Sequence, residues 1–80
     1  MNPIYRSRAN RPLSSVKEGE TVVVKTVAGG RDLLRRLREL GISQGVEVEV
    51  ARNTGGPVII ILGNSRMALG QGMAGKILVE

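Results

Sequence analysis

The chain has 80 residues, a net charge of +5, and neither cysteine nor histidine. That length allows one small domain. The missing thiols and imidazoles exclude disulfide frameworks, zinc sites of the Cys/His kind, haem attachment and Cys- or His-based catalysis. Tyr5 is the sole aromatic residue. Base-stacking platforms and aromatic grooves for Pro-rich peptides are therefore absent, and the core must be packed from Val, Ile, Leu and Met.

Residues 1–11 read as a mobile basic tail, with Arg6, Arg8 and Arg11 and no acidic residue. Beyond it nine basic side chains face seven acidic ones, so the folded part, residues 12–80, is nearly balanced. The first residues carry no apolar run of the signal-peptide kind. The longest aliphatic run, Val58 to Leu62, is five residues, whereas a spanning helix needs ~20. The expectation is a cytoplasmic protein.

Leu13 and Val16, three apart, can seat one turn on the core. Thr21 to Val27 is rich in β-branched residues and reads as a strand. Ala28-Gly29-Gly30 breaks it, and Asp32 suits a helix N-terminus, where a carboxylate meets unpaired N–H groups and the positive end of the dipole. A helix follows over Arg31 to Leu40, with Leu33, Leu37 and Leu40 on one stripe and Gly41 as its stop. Val46 to Val50 alternates, with Glu47 and Glu49 on the second face, as a half-buried strand does. Asn53 to Pro57 reads as a hairpin turn and Val58 to Leu62 as the most buried strand. Arg66 to Leu69 and Lys76 to Val79 complete about five strands. With one helix inserted after the first strand, the fold class is mainly β, a small barrel. Its expected core is Leu33, Leu37, Val48, Val50, Ile59 or Ile60, and Ile61.

Three motifs yield to plainer readings. Gly70 to Gly75 spells G-x-G-x-x-G, but a dinucleotide fingerprint must open a helix and precede an acidic residue by about 20 positions. Only five residues follow, so the glycines read as a sharp corner, and no cofactor is expected. Gly29-Gly30 lacks the P-loop pattern, and Asp32 would repel an anion there. Glu47 and Glu49 share a strand face, which is also how a solvated face looks, and no metal or catalytic residue is assigned.

The helix carries the candidate site. Arg31, Leu34, Arg35 and Arg38 lie on neighbouring positions away from the Leu33/Leu37/Leu40 stripe. An exposed Leu ringed by Arg has the apolar centre and charged rim of a transient interface. The alternative docking surface is the Glu47/Glu49 strand face.

The chain resembles the FeoA family of bacterial ferrous iron transport. The likeness rests on Pro12-Leu13-Ser14 with Gly19, and on Arg36-Leu37-x-x-Leu40-Gly41-Ile42-x-x-Gly45. Gly56-Pro57, Ala68-Leu69-Gly70, and Ala74 with Ile77 and Val79 add to it. A similar module forms the C-terminal domain of iron-dependent repressors. The resemblance implies an SH3-like barrel with the helix after the first strand. It also implies a non-enzymatic accessory or regulatory protein that acts on FeoB, the permease with a cytoplasmic GTP-binding domain. Two other readings stand beside it: a stand-alone divalent-metal sensor using Glu side chains, and a basic barrel that binds structured nucleic acid with steep salt dependence.

Overall fold

The computed structural model describes residues 10–80. Six strands form one antiparallel sheet in the order β1-β6-β2-β3-β4-β5. They are β1 (Arg11–Pro12), β2 (Thr21–Val27), β3 (Glu47–Arg52), β4 (Val58–Leu62), β5 (Ser65–Leu69) and β6 (Ile77–Val79). Helix α1 (Arg31–Glu39) follows β2, and the single turn α2 (Gln71–Ala74) precedes β6. The sheet curls into the barrel-like arrangement expected of an SH3-like domain, although its edge strands, β1 and β5, do not pair with one another.

The curl comes from β2. Its first half pairs with β3 through Thr21 to Val23, and its second half pairs with β6 through Val24 to Val27, with a register shift between Val24 and Thr26. One strand thus serves both halves of the sheet, and a bulge is a standard device for such a bend. A second shift between Val50 and Arg52 turns β3 against β4.

The core is aliphatic throughout. Leu13, Val16, Val22, Val24, Leu37, Ile42, Val48, Val50, Val58, Ile60, Leu69, Ala74, Ile77 and Val79 are buried, and no polar side chain joins them among the described residues. Leu13 opens a 3-10 turn over Leu13–Ser15 and Val16 closes it, both buried, as their spacing suggests. Val48 and Val50 point inward while Glu47 and Glu49 point out, following the alternation in the sequence.

Several sequence expectations need correction. The run Val58 to Leu62 alternates rather than being buried throughout: Val58 and Ile60 are sealed, and Ile59, Ile61 and Leu62 are half-buried. Ile61 pairs with the outward Glu49, which keeps it out of the core. The glycines at 70–75 frame one helical turn, α2, rather than a bare corner. Leu40, expected on the buried stripe, is 43% exposed. Residues 1–9 of the expected tail lie outside the described residues, while Arg11 is in β1 opposite Val79.

The helix end explains Leu40. Ile42 N–H donates to Leu37 O at 2.8 Å, and Gly41 N–H donates to Arg38 O at 3.0 Å. This double bond pattern closes a helix through a left-handed residue, supplied by Gly41 with φ +94°. It brings buried Ile42 back against buried Leu37, so Ile42 takes the core place that the helical period assigns to Leu40.

Candidate docking face on helix α1

Helix α1 is held to the barrel by very little. Leu37 is its one fully buried residue, and Leu33 is half-buried against the core. Its N-cap is Gly30, with no side-chain cap bond. Asp32 instead bonds Arg35, whose Nη2 lies 3.3 Å from Oδ1. Arg35 therefore reaches back to Asp32 and not forward to Glu39.

Arg31, Leu34, Arg35 and Arg38 are all exposed, and helical geometry sets them side by side. Leu34 is 37% exposed, a large apolar side chain with arginines three before it, beside it and one turn ahead. Arg31 and Arg38 make no ion pair among the described residues. The face is thus apolar at its centre and carries uncompensated positive charge around it.

Sequence reasoning missed a feature beside this face. Leu34 and Arg38 form one wall of a cleft of about 160 Å³, between α1, the end of β2 at Lys25 to Val27, and the return segment 42–44. Nothing in the local sequence marks it, because its walls come from segments brought together only by the loop after Gly41. A shallower depression of about 210 Å³ lies on the β3 side, among Thr21, Glu47, Glu49, Ile61 and Gly63. Its two carboxylates stand without a third ligand: no group of three or more Asp, Glu, His or Cys able to hold a metal occurs among the described residues. No helix there is long and apolar enough to cross a membrane.

The FeoA domain family model matches residues 11–80. The chain belongs to the FeoA family. A relative from Methanocaldococcus jannaschii, provisionally named Fe(2+) transport protein A, is 46% identical over 69 residues, covering 86% of this chain and 84% of its own. The crystal structure of an iron uptake regulatory protein (FeoA) superposes with a TM-score of 0.82 at 32% identity, covering 91% of this chain and 97% of the other. Stenotrophomonas maltophilia FeoA, crystallised with zinc and described as a procaryotic SH3 domain protein, gives 0.76 at 32% identity, over 86% and 88% of the two chains. The SH3-like barrel expected from the resemblance is therefore the fold of this FeoA domain, and ferrous iron transport is the setting of its family.

Proposed function

We propose that this FeoA-family chain is a cytoplasmic, non-enzymatic accessory protein of ferrous iron uptake, which regulates a FeoB-like permease by docking on it through α1. The observation that carries the reading is the exposed Leu34 within an arginine-rich face on a helix that the barrel does not need to cover. The charges speed encounter with an acidic patch on the permease, and Leu34 sets how long the complex lasts. The metal-sensor reading has only the Glu47/Glu49 pair to draw on. The nucleic-acid reading has only the nearly balanced charge of residues 12–80 to draw on, nine basic side chains against seven acidic.

The test is retention of the permease from solubilised membranes of the same organism by the immobilised chain, with and without GTP. Retention that survives charge reversal at Arg35 and Arg38 and substitution of Leu34 places the interface elsewhere. Absence of retention in either nucleotide state removes the permease as the partner.

A further inference from the structure

We propose that the outer flank of β5 is a self-pairing edge, to which a second copy of this chain adds its own β5, antiparallel and centred on Met67. Docking through α1 and pairing through β5 use different elements and stand or fall separately.

β5 ends the sheet. It pairs with β4 in unbroken register from Leu62↔Ser65 to Val58↔Leu69, and no strand lies on its other flank among the described residues. Two routes fix which backbone groups point there. The turn from β4 to β5 has two residues, Gly63 and Asn64, with Gly63 at φ +62°. Residues flanking a two-residue turn bond each other, and bonded pairs then alternate along the ladder. From the far side of the sheet, Val50 N–H donates to Glu20 O at 2.9 Å. Glu49 is therefore turned to Ile61, and Ile60 in its turn to Met67. Both routes assign Ser65, Met67 and Leu69 to β4 and leave Arg66 and Ala68 with N–H and C=O directed outward. Neither makes a backbone bond outside the sheet among the described residues, and both are exposed.

The two edges of the sheet are protected unequally. β1 is two residues long, and Pro12 has no N–H to offer. β5 runs for five residues without proline, and Arg66 is its one charge.

The sequence of β5 complements itself in one register. Outward residues bond outward residues, so a two-fold axis can pass beside Arg66, Met67 or Ala68. Centred on Arg66, it sets two guanidinium groups opposite each other, and like charges directly opposite repel. Centred on Ala68, it draws in Gly70, whose carbonyl is engaged by Ala74 N–H at 2.9 Å. Centred on Met67, it pairs the whole strand. Each Arg66 then stands opposite the second copy's Ala68, exchanging both backbone bonds, and the two Met67 side chains meet. On the outer face Ile59 adjoins Ala68, so the apolar stem of the incoming arginine lies over a small methyl group toward an isoleucine. A strand of five residues is ~17 Å long at ~3.4 Å per residue. Such a contact buries less than the ~1,200–2,000 Å² of a standard interface, so the dimer is weak and forms at high concentration.

Sedimentation of the full chain, over a concentration series reaching about 1 mM, tests the pairing. The sedimentation coefficient should rise from monomer toward dimer. Ala68→Pro removes an outward N–H that β4 does not use, and edge strands accept proline. It should leave the melt within a few degrees and weaken association about tenfold or more. Ala68→Arg puts a second cation opposite Arg66 and should also weaken association. Adding Arg66→Glu to Ala68→Arg should restore it, because each arginine then faces a glutamate. A chain that stays monomeric throughout the series, association untouched by both Ala68 variants, or no recovery in the double variant overturns the proposal. An edge covered by residues 1–9 of the same chain, or kept for the permease, gives the first of these results.

Discussion

Arg11 grips Glu20 with both ends of its guanidinium: Nη1 lies 3.4 Å from Oε1, and Nη2 lies 3.2 Å from Oε2. The same carboxylate accepts the backbone N–H of Lys17 at 3.0 Å. Arg11 reads in the sequence as the last residue of a tail, yet its backbone pairs with Val79 and its side chain bridges to the lead-in of β2.

These bonds make Glu20 a source of acid sensitivity. The hydrogen bond from Arg11 first, and that from Lys17 second, hold its carboxyl below the ordinary value of 4.5. A carboxyl depressed in the folded state contributes stability above its unfolded pKa and loses it as pH falls through the folded one. Melting temperatures of the native chain and of Glu20→Gln should differ above pH 4.5 and converge as the pH drops below it. The gap should be small and shrink with salt, since both side chains are about 40% exposed. A gap that widens toward acid would contradict the assignment.

Asn53 clamps the N-terminal turn to the β3–β4 hairpin. Its Nδ2 donates to Ser14 O at 2.9 Å and to Val16 O at 2.8 Å, while its N–H donates to Glu18 Oε2 at 2.9 Å. Asn53→Ala leaves two carbonyl groups short of a donor and should cost ~1–3 kcal/mol in urea unfolding. Asn53→Asp should cost more than alanine, because a carboxylate oxygen then faces the two carbonyls and Glu18.

Leu37 is the anchor of α1, fully buried and joined through its carbonyl to Ile42. Leu37→Ala should cost ~2–5 kcal/mol, a large share of the ~5–15 kcal/mol typical of small domains. Leu33→Ala should cost less, since that side chain is only half-buried. An unchanged thermal melt for Leu37→Ala would contradict the packing of helix on barrel.

What the sequence shows depends on how much of each element's partner is local. The Val48/Val50 alternation and the Gly41 stop are short-range signals, and both appear in the structure as read. Val58 to Leu62 has no polar residue to set its phase, so only the pairing of Ile61 with Glu49 decides which isoleucines turn inward. Arg11–Pro12 is too short to show a period and exists as a strand only because β6 lies beside it. The exposed Leu34 with its neighbouring arginines is a helix pattern and legible as such. The cleft beside it depends on the return of Ile42 and on where β2 exchanges β3 for β6, which no single stretch of sequence records.

Leu34 and Leu37 provide the contrast that tests the proposed docking face. They lie three residues apart on α1, one 37% exposed and the other fully buried. An aspartate at the buried position places a charge where no partner can compensate it, so Leu37→Asp should unfold the chain. Leu34→Asp exchanges a partly exposed isobutyl group for a hydrated carboxylate. It should leave the melt nearly unchanged, because surface substitutions usually fall within about 0.5 kcal/mol. Its effect should appear in permease binding, as faster dissociation once the apolar centre of the interface is gone. Arg35→Glu with Arg38→Glu should act on the other rate, slowing association most clearly at low salt, where exposed charges are least screened. Surface plasmon resonance with solubilised permease separates the two rates. If Leu34→Asp unfolds, Leu34 belongs to the core and the face is wrong. If it folds and dissociates at the native rate, the permease docks elsewhere, and the Glu47/Glu49 surface with its neighbouring Ile61 is the next to substitute.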